Sequence, residues 1–157
     1  MYIENPNPDV NLLMDIISGK RRVNDVKYME LIIDDEILAE YCEKYLHRKW
    51  IHYQKDDLVL RGKYWDNVIE CYYRLGYSGF RVSNAITFKI PRNVVDDTAL
   101  ASRGEREWSD HSGVIKDWES FENYPWPSLD QIDLWDYHYV NDHLYEGMGI
   151  FACVYGG

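Results

Sequence analysis

Helical and extended periodicities alternate along this chain. That alternation predicts an α/β fold of three parallel strands joined by helices, with a β-hairpin inserted after the second strand. Three observations carry the prediction. Val10, Leu13, Met14 and Ile17 repeat at i, i+3, i+4 and i+7, the stripe of an amphipathic helix. Residues 27–33, KYMELII, alternate from side to side, with Met29, Leu31 and Ile33 on one face and Tyr28, Glu30 and Ile32 on the other. From Gly149 the segment GIFACVYGG reads as a buried strand running into a Gly-Gly turn.

Each element has a local reason. Asn7 as cap, Pro8 at the first helical position and Gly19 as stop delimit the first helix. After the strand at 27–33, Asp34-Asp35 caps a helix through DEILAEYCEKYLH, whose Ile37, Leu38, Tyr41 and Tyr45 share a face. A further helix runs through YWDNVIECYYRLG, with Tyr64, Val68, Ile69, Tyr72 and Leu75 on its stripe and Gly76 at its end. The second strand, Gly79 to Ser83, turns Phe80 and Val82 one way and Arg81 and Ser83 the other. An excursion from Thr87 to Asp117 then predicts an antiparallel hairpin in which REWSD and VIKD flank an HSG turn. Asp117 and Glu119 suit the start of a short helix, and Tyr124-Pro125-Trp126-Pro127 enforces extended backbone. Ser128 with Gln131 makes a capping box for a helix carrying Ile132, Trp135, Tyr139 and His143.

Composition removes several classes of function. A formal net charge of -10 opposes nucleic acid and anionic membranes, both of which need a basic field. The clusters Lys20-Arg21-Arg22 and Arg48-Lys49 lie near helix ends, where cations favour the dipole. The first residues, MYIENPNPDV, lack the basic and apolar regions of a signal peptide, and no apolar run reaches membrane-spanning length, so the expected location is cytoplasmic. Cys42, Cys71 and Cys153 are odd in number and form no C-x-x-C pair, so they read as reduced core thiols. His47 and His52, like His138 and His143, are five residues apart, a spacing that does not present both rings to one metal on a helix. No metal site is expected within the chain.

A set of spaced motifs carries a family resemblance. The first helix ends in Gly19-Lys20, a strand follows Arg22-Val23, and Leu75-Gly76-Tyr77 leads into the second strand. Trp108, Asp110 and Gly113 then form a Trp-x-Asp-x-x-Gly turn, followed by GVIKDWESFENYPWPSLDQIDL from Gly113 to Leu134. In this order, over nearly the whole chain, the motifs resemble the amino-terminal portion of the uroporphyrinogen decarboxylase-like superfamily. That resemblance implies a partial (β/α)8 TIM barrel, its first three βα units with an inserted hairpin, in a single partial domain spanning 1–157. A complete barrel of this type takes roughly 250 residues, so the expectation is a fragment that is inactive alone. The superfamily comprises decarboxylases of porphyrinogen side chains and methyltransferases serving corrinoid or thiol acceptors.

Barrel chemistry sits at the carboxyl ends of strands. In the decarboxylases the second strand ends in a Ser-Asp pair whose aspartate stabilises a cationic pyrrole intermediate; the matching pair here is Ser83-Asn84. Asn84 is the candidate catalytic residue, but an amide cannot supply the negative charge. The decarboxylases follow their first strand with an Arg-rich run that binds carboxylates, whereas Glu30 stands at the position of its first arginine and would repel a polycarboxylate. Both departures point to the methyltransferase branch. The candidate substrate-binding residues are Glu30, Arg81, Ser83 and Tyr155, and Glu30 with Arg81 also suits a purely structural pair across the ladder. The resemblance implies a small-molecule substrate, and zinc, a corrinoid or a corrinoid protein, only for a full-length parent. The alternatives are a uroporphyrinogen decarboxylase, a lyase of porphyrin biosynthesis, and a small acidic interaction module without catalysis.

Overall fold

The computed structural model describes residues 2–22, 24, 27–83, 88–89, 92–96, 105–109 and 113–153, the segments 92–96 and 105–109 through their backbone pairing. They form two compact units, one made of Met1–Ala85 and Asp133–Val154, the other built on Ile86–Ile132.

The first unit is a mixed α/β structure. Its first helix, α1 (Val10–Ile17), starts two residues after the predicted Pro8, because its cap is Asp9, whose side chain accepts from Leu12 N at 2.8 Å. The start of α1 is tied down at long range: Asp9 N donates to Ser78 Oγ at 3.0 Å and Val10 N to Gly147 O at 2.8 Å. Of the predicted stripe only Leu13 is buried, while Met14 and Ile17 face outward. The first strand, β1 (Met29–Glu30), is much shorter than the alternation over 27–33 predicts. Glu30 explains the early stop: its carboxylate accepts from Leu31 N at 2.8 Å and Ile32 N at 3.4 Å, turning the chain out of the ladder.

Helix α2 (Asp35–Tyr45) buries Leu38, Tyr41 and Cys42, whereas Ile37, expected on that face, lies outside. It ends through His47, whose φ of 54 is left-handed, and Arg48 N reaches back to Cys42 O at 3.3 Å. An exposed imidazole at such a position carries a Cβ penalty that glycine escapes. His47→Gly is expected to raise stability by about 0.5–1 kcal/mol, read as a higher urea midpoint at unchanged slope; a lower midpoint would mean that the ring supplies packing of its own.

Helix α3 (Leu58–Leu75) starts six residues before the predicted Tyr64, because Asp57 accepts from Val59 N and Leu60 N, both at 3.0 Å. It stops at Gly76 as expected. Strands β2 (Gly79–Val82) and β5 (Gly149–Ala152) complete a parallel sheet of order β1-β2-β5, with Glu30 opposite Phe80, Arg81 opposite Phe151 and Val82 opposite Ala152. Phe80 and Val82 are sealed in the core, where Phe80 meets the Trp65 and Tyr72 rings of α3. β5 is half-buried, less enclosed than its apolar run suggests. The last helix, α5 (Trp135–His143), begins later than predicted: Asp133 accepts from Trp135 N at 3.0 Å, and the Ser128–Gln131 capping box serves only a single 3-10 turn, Leu129–Gln131.

The second unit contains the predicted antiparallel hairpin with a different partner. Strand β3 (Arg92–Asp96) pairs with β4 (Glu105–Ser109) from Arg92↔Ser109 to Asp96↔Glu105. The REWS segment therefore pairs with the preceding RNVVD rather than with VIKD. RNVVD offers five ladder positions with β-branched residues at its centre, which VIKD does not match in length. Helix α4 (Trp118–Glu122) begins at Asp117 as predicted, with a reciprocal capping box to Ser120.

Candidate functional site

Ligands of open parallel sheets bind outside the carboxyl ends of the strands. That edge is reached from Glu30 on β1, Val82 on β2 and Ala152 on β5. Since Phe80 and Val82 point into the helical layer, the alternation of β2 turns half-buried Arg81 and Ser83 to the opposite face, as the sequence predicts. Glu30 departs from expectation. Its register opposite Phe80 sets it on the helix side of the sheet, away from the Arg81 face. Glu30 is thus committed to its own backbone and to the helix side, and the predicted Glu30–Arg81 pairing across one face does not fit this register. Asn84, Tyr155 and His111 lie outside the described residues.

The carboxyl edge is braced from behind. Cys153 N donates to Val82 O at 3.0 Å, and Tyr137 Oη on α5 donates to Cys153 O at 3.0 Å, so the end of β5 is held by both its neighbour strand and a helix. Beneath it, the first turns of α3 and α5 are joined by a buried polar cluster that sequence reasoning missed. Asp136, fully buried, accepts from Arg61 Nε at 2.6 Å, Trp65 Nε1 at 2.6 Å and Tyr53 Oη at 2.8 Å. Arg61 Nη1 also donates to Asp133 at 2.8 Å, and its guanidinium lies 4.8 Å from the centre of the Trp135 ring. Burial pulls the Arg61 charge down, but the hydrogen bonds it donates to the two carboxylates outweigh it and hold the group well above its ordinary value. Next to it, Tyr64 Oη donates to Asp35 at 3.2 Å, and burial raises Asp35 against that hydrogen bond. The available signal was Arg61 itself, a cation in register with the core stripe of Trp65, Val68 and Tyr72.

A cleft of about 230 Å³ lies elsewhere in this unit, lined by Arg48, Asp66, Ile69, Glu70, His143 and Tyr145. It sits where α3 and α5 run down to the amino ends of β2 and β5, the edge that carries stability. Glu70 accepts from Tyr145 Oη and from Arg74 Nε at 2.8 Å, with Arg48 3.9 Å away. Burial opposes its ionisation, yet these partners hold its carboxyl below the ordinary value. His143 stacks on Tyr139 with ring centroids 4.0 Å apart and points Nδ1 at Tyr139 O. Glu70 and Tyr145 thus bond each other, while His143 and Asp66 are both engaged by Tyr139.

Among the described residues, no group of three or more His, Cys, Asp or Glu side chains converges to hold a metal ion, and no helix is long and apolar enough to cross a membrane. Burial raises the thiols of Cys42 and Cys71, which favours unreactive core sulfur. No family model, curated protein or solved structure matches this chain.

Proposed function

We propose that the chain contributes a substrate-holding arc of a uroporphyrinogen decarboxylase-like barrel, from the branch that moves methyl groups to a corrinoid or thiol acceptor, and that it does not turn over substrate by itself. One observation supports this most. The three strands are parallel and lie side by side in sequence order, with the apolar side of β2 against helices and the Arg81–Ser83 side turned away. That is the arrangement of consecutive strands in a (β/α)8 barrel, whose inner face and carboxyl rim hold the ligand. Arg81, already engaged within the protein, brings a positive charge to that face, and Ser83 brings a hydroxyl. Asn84 would add an amide without a charge, and Tyr155 a phenol. The chain's part is to bind and orient a small molecule. Glu30, turned to its own backbone, leaves the carboxylate-clamping role of the decarboxylases unfilled.

Titration of isotopically labelled protein with methylcobalamin, followed by backbone amide spectra, tests this reading. The amides of Arg81, Ser83 and Phe151 are expected to shift, while the cobalamin absorbance stays constant in the presence of a simple thiol. Larger shifts with uroporphyrinogen at the same amides would replace methyl transfer by the decarboxylase reading. If neither ligand moves them, the small-molecule reading fails and a non-catalytic module takes its place.

A further inference from the structure

We infer that the second unit carries a docking surface for an arginine-bearing peptide segment, formed by the aromatic rings of Trp118, Phe121 and Trp126 with the carboxylates of Glu119 and Glu122. The rings are large and open: Trp118 is 72% exposed, Trp126 47% and Phe121 38%. They are also ordered with respect to one another. Trp118 and Phe121, three residues apart on α4, stack at 5.1 Å with planes inclined by 17°. Phe121 and Trp126 centroids lie 5.1 Å apart, and Trp126 Nε1 donates to Phe121 O at 3.0 Å. Tyr124 packs edge-on against Trp126 at 4.7 Å and anchors its hydroxyl to Lys89 O at 3.0 Å. The Asp117–Ser120 capping box fixes the start of α4, and Pro125 and Pro127 restrict the backbone on both sides of Trp126. A set of rings this open, held this firmly, is the composition of a contact surface.

Charge selects the occupant. Between Gly113 and Ile132 the chain carries Asp117, Glu119, Glu122 and Asp130 against one cation, Lys116. Glu119 and Glu122 are exposed, and Glu122 follows Trp118 by one helical turn. Ring faces and carboxylates both attract cations, and both disfavour phosphate. Guanidinium fits better than ammonium, because it is planar, weakly hydrated and able to stack on an indole while donating to a carboxylate. A second copy of this chain is disfavoured by the net charge of -10 that each copy would bring.

The probe is an end-blocked peptide of alternating arginine and proline, titrated at physiological salt by fluorescence anisotropy. Its citrulline counterpart keeps shape and hydrogen bonding but has no charge. Trp118→Ala is expected to weaken binding about two- to fivefold, the range of an exposed cation–π contact. Glu119→Gln with Glu122→Gln should weaken it and flatten its salt dependence, and the citrulline peptide should bind far less. Melting temperature should stay unchanged in Trp118→Ala, since the ring is mostly in solvent. Equal binding by Trp118→Ala, equal binding of the citrulline peptide, a lowered melting temperature in Trp118→Ala, or a concentration-dependent increase in size that this substitution abolishes would each overturn the proposal. These readouts involve none of the Arg81–Ser83 edge, so they stand or fall independently of the cobalamin titration.

Discussion

Asp136→Ala is expected to lower stability by about 3–5 kcal/mol, read as a shift of the urea midpoint of the first unit. The side chain is fully buried and is the acceptor for three donors at once: Arg61 Nε, Trp65 Nε1 and Tyr53 Oη. Removing it strands a guanidinium whose side chain is only 3% exposed, with Asp133 left as its remaining carboxylate partner. The cost is the desolvation of an under-compensated charge, which exceeds the value of the hydrogen bonds themselves. Asp136→Asn should cost less than alanine, because an amide oxygen still accepts, but more than a surface change, because the opposing charge is gone. The discriminating variant is Arg61→Met combined with Asp136→Leu. If an uncompensated charge is the cause, the pair should recover much of the loss; a double variant as unstable as Asp136→Ala would mean that the cluster acts through geometry that apolar packing cannot replace.

This cluster also marks what was legible in the sequence and what was not. Periodicity located the longer helices and the first two parallel strands, since 3.6-residue and two-residue repeats report directly on which side of an element is buried, whereas the short α4 was found from its acidic start and β5 from its apolar run. Ends were less legible. β1 stops at Glu30 because a side chain outcompetes the ladder for two backbone donors, a choice invisible to alternation. α3 begins at Leu58 although its first turn exposes Leu58 and Val59, so no apolar stripe announces it; only the Asp57 cap does. The hairpin was foreseen and its pairing was not, because both neighbours of the REWS segment have strand-like character and pairing is decided at long range. For the candidate site, the β2 alternation placed Arg81 and Ser83 on the face away from the helices, whereas Glu30 depended on the register between two strands. Register joins residues some fifty positions apart, and a pattern within one strand does not contain it.

The same long-range dependence makes Gly147→Ala the other large effect, with an expected loss of about 2–4 kcal/mol from a left-handed backbone and a steric clash together. Gly147 has φ 82, and a Cβ there would lie 2.2 Å from Pro8 O and 3.0 Å from Pro8 C. The obstacle is main chain, so no rotamer change relieves it. Nor can the Pro8 segment easily swing aside: Val10 N donates to Gly147 O at 2.8 Å and Asp9 N to Ser78 Oγ at 3.0 Å, which fastens the start of α1 to the turns leading into β5 and β2. Gly19→Ala is the internal control, because Gly19 has φ 73 with nothing within 4 Å of the added carbon. It should lose only the backbone part, about 1–2 kcal/mol. If both alanines shift the urea midpoint equally, the Pro8 segment yields at little cost, and the idea that α1 is clamped at the amino end of the sheet fails. If Gly147→Ala loses clearly more, the excess measures how firmly that helix holds two strand entrances in place, and with them the carboxyl edge at which Arg81 and Ser83 stand.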